Sequence, residues 1–355
     1  MKRNRPPAMP RGRVGLRPFR WLLWLPVPAL LYWALRGVHL GELGQTLGRL
    51  SWGRLGALLA VNLAFWAVLT GRWAWVLRGL GERLSALGIL RLAASRLAGF
   101  SVSYLTPGPQ FGGEPVQLAL ARRWTGLAYT RGSASLLLDK SFELAGNFAF
   151  LGVGMLALRS LPALSPGAGG AHGAGWAFLL IPAFLAILPV AYLAAVFSGC
   201  RPLSELAARL PARWRARPWH ARLAAFLEAS EAEVTAYGRR PGRALLQVLV
   251  SFTAVWSLSV LEQWLTLRFL GLSLGLPQTL LLLAGAKLAM LTPFPGALGA
   301  LEVTQRTLFG WLGYRPETAI ALLVYMRARD LIFALAGLAA AAIGLRRSRR
   351  APRGK

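Results

Sequence analysis

Six apolar stretches dominate this chain, and each is long enough for a helix to cross the hydrocarbon core of a bilayer, which takes about 20 residues. They cover residues 19–36, 55–78, 131–158, 176–198, 243–270 and 317–344. The composition agrees, because 55% of the residues are hydrophobic and only 15% are charged, whereas a soluble domain carries about 25% charged residues. The sequence therefore predicts an all-α polytopic membrane protein and excludes an ordinary soluble enzyme, a disordered chain and a coiled coil.

The charge of the chain is strongly basic and is concentrated beside the apolar stretches. Lys and Arg total 41 against 13 Asp and Glu, which gives a formal net charge of +28. Basic residues that flank apolar runs set membrane topology, so we attribute this charge to topology rather than to nucleic acid binding. We expect a cell (inner or plasma) membrane protein with both termini in the cytoplasm. Its predicted parts are a basic tail over 1–18, one transmembrane domain over 19–345 with a cytoplasmic loop at about 199–242, and a basic tail over 346–355.

Two further apolar stretches end at clusters of proline and glycine. Residues 84–105 run into TPGPQFGGEP, and residues 277–291 run into TPFPGALGALE. With both termini inside, the first must enter and leave the membrane from the cytoplasmic side and the second from the outer side. Broken backbone in a membrane is tolerated only where protein buries it or water reaches it. The sequence therefore predicts two re-entrant helical hairpins, over about 84–122 and 277–312.

The two breaks resemble each other. TPGP begins at Thr106 and TPFP at Thr292, and Gly99 and Gly285 each precede the threonine by seven residues. Each loop then continues through glycines to a glutamate, Glu114 in the first and Glu302 in the second. Two matching loops with opposite predicted orientation indicate an inverted repeat and transport by alternating access.

The loops supply most of the candidate substrate-binding residues. A helix that begins just after such a loop presents unpaired N–H groups that suit an anion such as a phosphate, and Lys287, Arg327 and Arg96 could add positive charge. Glu114 and Glu302 could equally be caps that brace the helix starts. The candidates are Thr106, Pro107, Gly112, Gly113, Glu114, Lys287, Thr292, Pro293, Gly296, Gly299, Glu302 and Arg327.

Acidic side chains inside the predicted spans form a second group of candidates. A buried charge costs about 2.5–3.5 kcal/mol on insertion scales and marks function by default. We interpret Asp139, Glu143 and Asp330 as internal counter-charges or a proton pathway, and interhelical ion pairing is the alternative. We also expect Arg327 to lie within salt-bridge reach of at least one of these three acids, beside the tips of both hairpins.

The sequence shows no residue pattern for a resident metal, a cofactor or nucleophilic catalysis. There is one cysteine, Cys200, and the three histidines are far apart, so no metal-ligand spacing is present. GPQFGGEP lacks the GKS or GKT ending of a phosphate-binding P-loop. We therefore expect no cofactor and no metal site.

Two segments carry a resemblance to a known family. The first reads LAGFSVSYLTPGPQFGGEPVQLALARRWTG followed by SASLLLDKSFELAG, and the second reads MLTPFPGALGALEVTQRTLFGWLG followed by the helix that contains YMRARD. They resemble the signatures of the flippase-like membrane family, typified by the membrane half of lysylphosphatidylglycerol synthase, over about residues 15–345. Gln117 stands where many relatives are expected to carry an arginine. Because the chain ends at Lys355 in a basic tail, we expect no soluble synthase half.

The resemblance implies a lipid transporter, not an enzyme. Its partner would be a membrane lipid with a phosphate-bearing head group, aminoacylated or polyprenyl-linked, moved between leaflets. Two alternatives stay open: an integral membrane transferase that uses Asp139 or Glu143 as its acid or base, and a non-catalytic protein that presents lipid to a separately encoded synthase or glycosyltransferase. The sequence does not indicate an oligomeric state.

Overall fold

The computed structural model describes Tyr32 and residues 40–106, 112–158, 174–239 and 242–349. All regular secondary structure in these residues is helical, which confirms the all-α prediction for this part of the chain. Apart from Tyr32, the predicted basic tail over 1–18 and the first span, over 19–36, lie outside the described residues. So do residues 159–173, which join the predicted spans 131–158 and 176–198 and are expected outside, because the N-terminus and the loop at about 199–242 are predicted to be cytoplasmic.

The helices follow one another with short connections. In chain order they are α1 (Leu40–Gly48), α2 (Trp52–Gly79), α3 (Ala86–Leu105), α4 (Glu114–Thr125), α5 (Tyr129–Leu158), α6 (Ala174–Phe197), α7 (Pro202–Ala208), α8 (Ala212–Arg215), α9 (Pro218–Gly238), α10 (Gly242–Phe269), α11 (Leu276–Ala289), α12 (Ala300–Trp311) and α13 (Pro316–Arg349), with a 3-10 turn at Pro295–Ala297 between α11 and α12.

Local signals fix several helix ends. Ser51 and Ser85 precede α2 and α3, and each side-chain oxygen accepts a hydrogen bond from a backbone N–H in the first turn, as N-cap residues do. Helix α4 ends at Gly126, whose left-handed φ of 78° lets its N–H bond the carbonyl of Arg122.

Two of the described helices are apolar and long enough to cross a membrane by length and composition, α2 and α3. A third span would combine the second half of α6 with α7, which meet at a bend of 94°. Apolar side chains such as Leu63, Ile187 and Leu335 are more than half exposed on the outside of the bundle, as is expected where lipid covers it. The total number of spans and the re-entrant entry of the hairpins stay predictions.

The helix contacts of the two halves match. In the first half α3 packs on α4 and α4 on α5, and in the second half α11 packs on α12 and α12 on α13. The two halves also contact each other, since α3 packs on α13, α11 packs on α5, and α2 packs on α10. The series α2 to α5 and α10 to α13 therefore make corresponding contacts, and each half has a hydrophobic core of its own, around Trp73 and Leu92 in the first and around Leu301 and Phe309 in the second.

Glycines allow the closest helix approaches, as small residues do in membrane bundles. A Cβ on Gly113 would lie 1.8 Å from the carbonyl oxygen of Gly99, where the two arms of the first hairpin meet. A Cβ on Gly337 would lie 2.2 Å from the carbonyl oxygen of Leu97, where α13 packs on α3. These contacts bring together the two arms of the first hairpin and pack α13 on α3.

Candidate functional site

A cavity of about 230 Å³ lies between the two loops and is lined by helices of both halves. This is smaller than the roughly 300–1,000 Å³ of a drug-sized ligand site, so it suits a compact polar group. Gly113 lies at one wall, and Gly296 and Ala297 lie at another. The charged side chains that line it are Arg96, Glu114, Lys140, Glu143, Glu262, Lys287, Arg329 and Asp330.

Glu114 braces the first loop. Its Oε2 accepts a hydrogen bond from the backbone N–H of Gly112 at 2.8 Å, and its Oε1 lies 3.4 Å from Lys140 Nζ on α5. The next backbone N–H, that of Gly113, donates to Ser103 Oγ at 2.9 Å. Side chains of the protein therefore satisfy two of the N–H groups that we expected to face an anion, those of Gly112 and Gly113.

Glu302 braces the second loop in the same way. Its Oε2 accepts from the N–H of Gly299 at 2.8 Å, and its Oε1 accepts from Arg327 Nε and Nη2 at 3.0 and 2.7 Å. Arg327 also donates to the carbonyl of Gly296 and, at 3.4 Å, to Tyr104 Oη on the first hairpin. In both halves a glutamate thus joins a loop N–H to a basic residue of the following long helix. Glu302 has the geometry of a capping-box glutamate, whereas Glu114 is the first residue of α4 and bonds the N–H of Gly112 outside the helix.

The prediction that Arg327 pairs with Asp139, Glu143 or Asp330 is wrong. Its carboxylate partner is Glu302, because the start of α12 brings that side chain directly against α13. Arg327 still lies beside the tips of both hairpins, as expected, since it contacts the second loop and Tyr104 of the first hairpin.

Asp139 lies at the centre of a buried network. Its side chain is 1% exposed and accepts from Arg72 Nε at 2.7 Å and from Arg96 Nη2. Arg96 also donates to the carbonyl of Leu69 at 3.0 Å. Buried charges persist only when they are paired and hydrogen-bonded, and Asp139 provides the carboxylate for two arginines. Arg72 was missed in the sequence, although an arginine inside the apolar span 55–78 was a visible signal.

Glu143 belongs to a second group at the cavity wall. Lys140 Nζ lies 3.1 Å from its carboxylate and 3.4 Å from that of Glu114. One lysine therefore neutralises part of the charge of two acids.

Glu262, on α10, joins three helices and was also missed. It accepts from Arg329 Nη1 at 2.6 Å, Asn62 Nδ2 at 3.0 Å and Tyr325 Oη at 3.0 Å. Arg329 in turn lies 2.8 Å from Asp330. The signal was again a charge inside a predicted span, here 243–270.

Lys287 differs from the other charged residues of the cavity. Each of the others forms an ion pair, whereas no carboxylate of the described residues lies within 4.0 Å of Lys287 Nζ. Its ammonium group instead lies 5.5 Å from the ring centroid of Trp256. Lys287 is therefore the one charged side chain of the cavity lining that forms no ion pair with a described residue.

A family model described as the lysylphosphatidylglycerol synthase TM region matches residues 25–337. The chain belongs to this family. The match includes both loops and every residue that lines the cavity, and it confirms the resemblance seen in the sequence. No curated protein and no solved structure matches this chain. As a member of this family with apolar helices, the chain is a membrane protein with transmembrane helices.

The threonines of the two family loops have matching local roles. Thr106 Oγ1 donates to the carbonyl of Val102, and Thr292 Oγ1 donates to that of Ala289, both at 2.7 Å. Both side chains therefore close the ends of their own helices. Pro107 lies outside the described residues.

Glycine is required in the loops for two different reasons, a positive φ angle or a close contact with a neighbouring helix. Gly112, Gly296 and Gly299 have φ of 126°, 53° and 82°, which favour glycine. Gly113 has an ordinary φ of −85°, so it is required by its contact with Gly99 and not by its backbone conformation.

Only part of the predicted set lines the cavity. Of the substrate-binding candidates, the lining includes Gly113, Glu114, Lys287 and Gly296, and of the internal acids it includes Glu143 and Asp330. The remaining described candidates lie around the cavity without lining it; they are Thr106, Gly112, Asp139, Thr292, Pro293, Gly299, Glu302 and Arg327.

Proposed function

We propose that this protein moves a phosphate-bearing lipid between the leaflets of the cell membrane. The observation that carries the proposal is the unpaired Lys287 in a cavity between the loops of both halves. A cation without a partner at such depth is costly, and a phosphate is the anion that a membrane lipid would supply. The family match supports a lipid-handling role.

The matched halves support alternating access as the mechanism. The contacts that α3 and α11 make with the opposite half are equivalent, and we propose that they belong to an inverted repeat of six spans with two re-entrant hairpins. Sites at the interface of such repeats become open to each side in turn when one repeat moves against the other. The cavity lies at this interface.

The charged groups around the cavity then have assigned roles. Asp139 serves as the counter-charge of Arg72 and Arg96, which keeps this network intact as the halves move. Glu143 and Asp330 line the cavity beside Lys140 and Arg329, where they could also carry a proton. We propose that a separately encoded synthase or glycosyltransferase supplies the lipid.

The direct test is translocation of a fluorescent phosphatidylglycerol in proteoliposomes, followed by quenching of the outer leaflet with dithionite. Lys287→Met should slow translocation by at least about tenfold, because a hydrogen bond to a charged group is lost. Arg123→Met, on the exposed side of α4, should not change the rate. Translocation no faster than in empty liposomes, or equal rates for wild type and Lys287→Met, would contradict the proposal. Chemical conversion of the lipid by the purified protein would instead favour a transferase.

A further inference from the structure

Two glutamines line the same cavity with amide groups that find no partner. Gln117 on α4 and Gln263 on α10 are each 6% exposed, and both line the cavity. The Nε2 atom of each is buried and, among the described residues, has no hydrogen-bond acceptor. A buried donor without a partner costs about 1–3 kcal/mol, so two in one cavity indicate a ligand that accepts hydrogen bonds.

The carboxylates of the cavity, in contrast, all take part in ion pairs. Lys140 pairs with Glu114 and Glu143, and Arg329 pairs with Glu262 and Asp330. Each carboxylate that lines the cavity therefore has a basic partner. Lys140 and Arg329 are each shared by two carboxylates, and the donors of the cavity without a described partner are the two amide groups and Lys287.

The number of free charges limits the ligand further. Four basic and four acidic side chains line the cavity, so their formal charges cancel, and Lys287 is the base that forms no ion pair with a described residue, while the two glutamine amides are neutral. A phosphodiester carries a single negative charge and several acceptor oxygens, which matches one cation and two amide donors. A phosphomonoester carries about −1.5 to −2 near pH 7 and would therefore add a larger negative charge to a lining whose formal charges already cancel.

We infer that Gln117, Gln263 and Lys287 form a three-donor site for the phosphodiester of a phospholipid head group. The inference rests on the proposed function and narrows its substrate class: it favours a phosphodiester lipid over a polyprenyl monophosphate. Gln117 and Gln263 are specificity residues in this account, and neither contributes to the ion pairs that hold the bundle together.

The test is binding of short-chain lipids to the purified full-length protein in detergent, measured by calorimetry. The probes are dihexanoyl phosphatidylglycerol, dihexanoyl phosphatidic acid and inorganic phosphate. We expect phosphatidylglycerol to bind more tightly than phosphatidic acid and inorganic phosphate to bind weakest. Gln117→Leu and Gln263→Leu should each weaken phosphatidylglycerol binding about tenfold without lowering Tm, because each removes a donor that has no protein partner.

Gln305 is the matched control. It is fully buried outside the cavity, and its Nε2 donates to the carbonyl of Leu282 at 2.8 Å. Gln305→Leu should therefore lower Tm and leave lipid binding unchanged. Gln117→Arg adds a cation and should shift the preference toward phosphatidic acid.

Three outcomes would overturn the inference: wild-type affinity in both Gln117→Leu and Gln263→Leu, a preference of the wild type for phosphatidic acid, or tightest binding by inorganic phosphate. Unchanged affinity would mean that the two amides do not contact the ligand. Selective binding without translocation in proteoliposomes would support this site and contradict the proposed transport. Translocation without this selectivity would contradict the site alone.

Discussion

Asp139 shows how much depends on a single carboxylate at the residue scale. It faces two arginines, and both it and Arg72 are 1% exposed. Asp139→Asn would leave both guanidinium groups without a counter-charge, and breaking a buried pair in this way costs about 3–5 kcal/mol. We expect a large fall in Tm in detergent, measured by intrinsic fluorescence.

Glu228 provides the comparison for this prediction. It pairs with Arg201 at the surface, with both side chains about half exposed, and exposed pairs contribute only about 0–1 kcal/mol. Glu228→Gln should therefore leave Tm nearly unchanged. Equal Tm values for Asp139→Asn and wild type would show that the two arginines do not depend on Asp139.

The partners of individual charges were the least predictable part of the site. Arg327 was expected to pair with Asp139, Glu143 or Asp330, yet it pairs with Glu302. An ion pair depends on how neighbouring helices rotate against each other, and spacing along one helix does not contain that information. Charges such as Arg72 and Glu262 were visible in apolar spans, so their importance could have been predicted but their partners could not.

At the scale of elements, the positions of the two hairpins followed from the sequence. The apolar arms and Pro/Gly breaks predicted hairpins at about 84–122 and 277–312, and the structure has α3 and α4 over 86–125 and α11 and α12 over 276–311. The matched glycines Gly99 and Gly285 proved to be sites of close contact between the arms of each hairpin. Local composition determines such features, whereas membrane entry requires the bilayer itself.

The contacts that Glu302 makes in the second loop give a prediction at the scale of elements. Glu302 holds the N–H of Gly299 and the guanidinium group of Arg327 together. Glu302→Ala should expose this N–H, so hydrogen exchange in the loop around Gly299 should accelerate. Thr304→Ala, on the same helix, should leave exchange near the wild-type rate. An unchanged rate of hydrogen exchange in Glu302→Ala would show that the loop does not depend on the contacts of Glu302.

At the scale of the whole molecule, the orientation in the membrane is the main prediction. Cys200 is exposed, so it is first replaced by serine. Gly169→Cys should then label with an impermeant maleimide on intact cells. Ala216→Cys, in the basic segment between α6 and α10, should label only after permeabilisation, because basic segments remain in the cytoplasm. The reverse pattern at either position would contradict the orientation and the inverted repeat.

The central claim is that the cavity between the two loops holds the head group of a phosphodiester lipid at Lys287. Mass spectrometry of lipid that copurifies with the protein tests it most directly, with wild type and Lys287→Met prepared in parallel. We predict that wild type retains a phosphodiester lipid at a defined ratio and that Lys287→Met retains much less of it, while Arg123→Met matches wild type. Equal amounts of the same lipid in wild type and Lys287→Met, or a retained lipid without a phosphodiester, would contradict the claim.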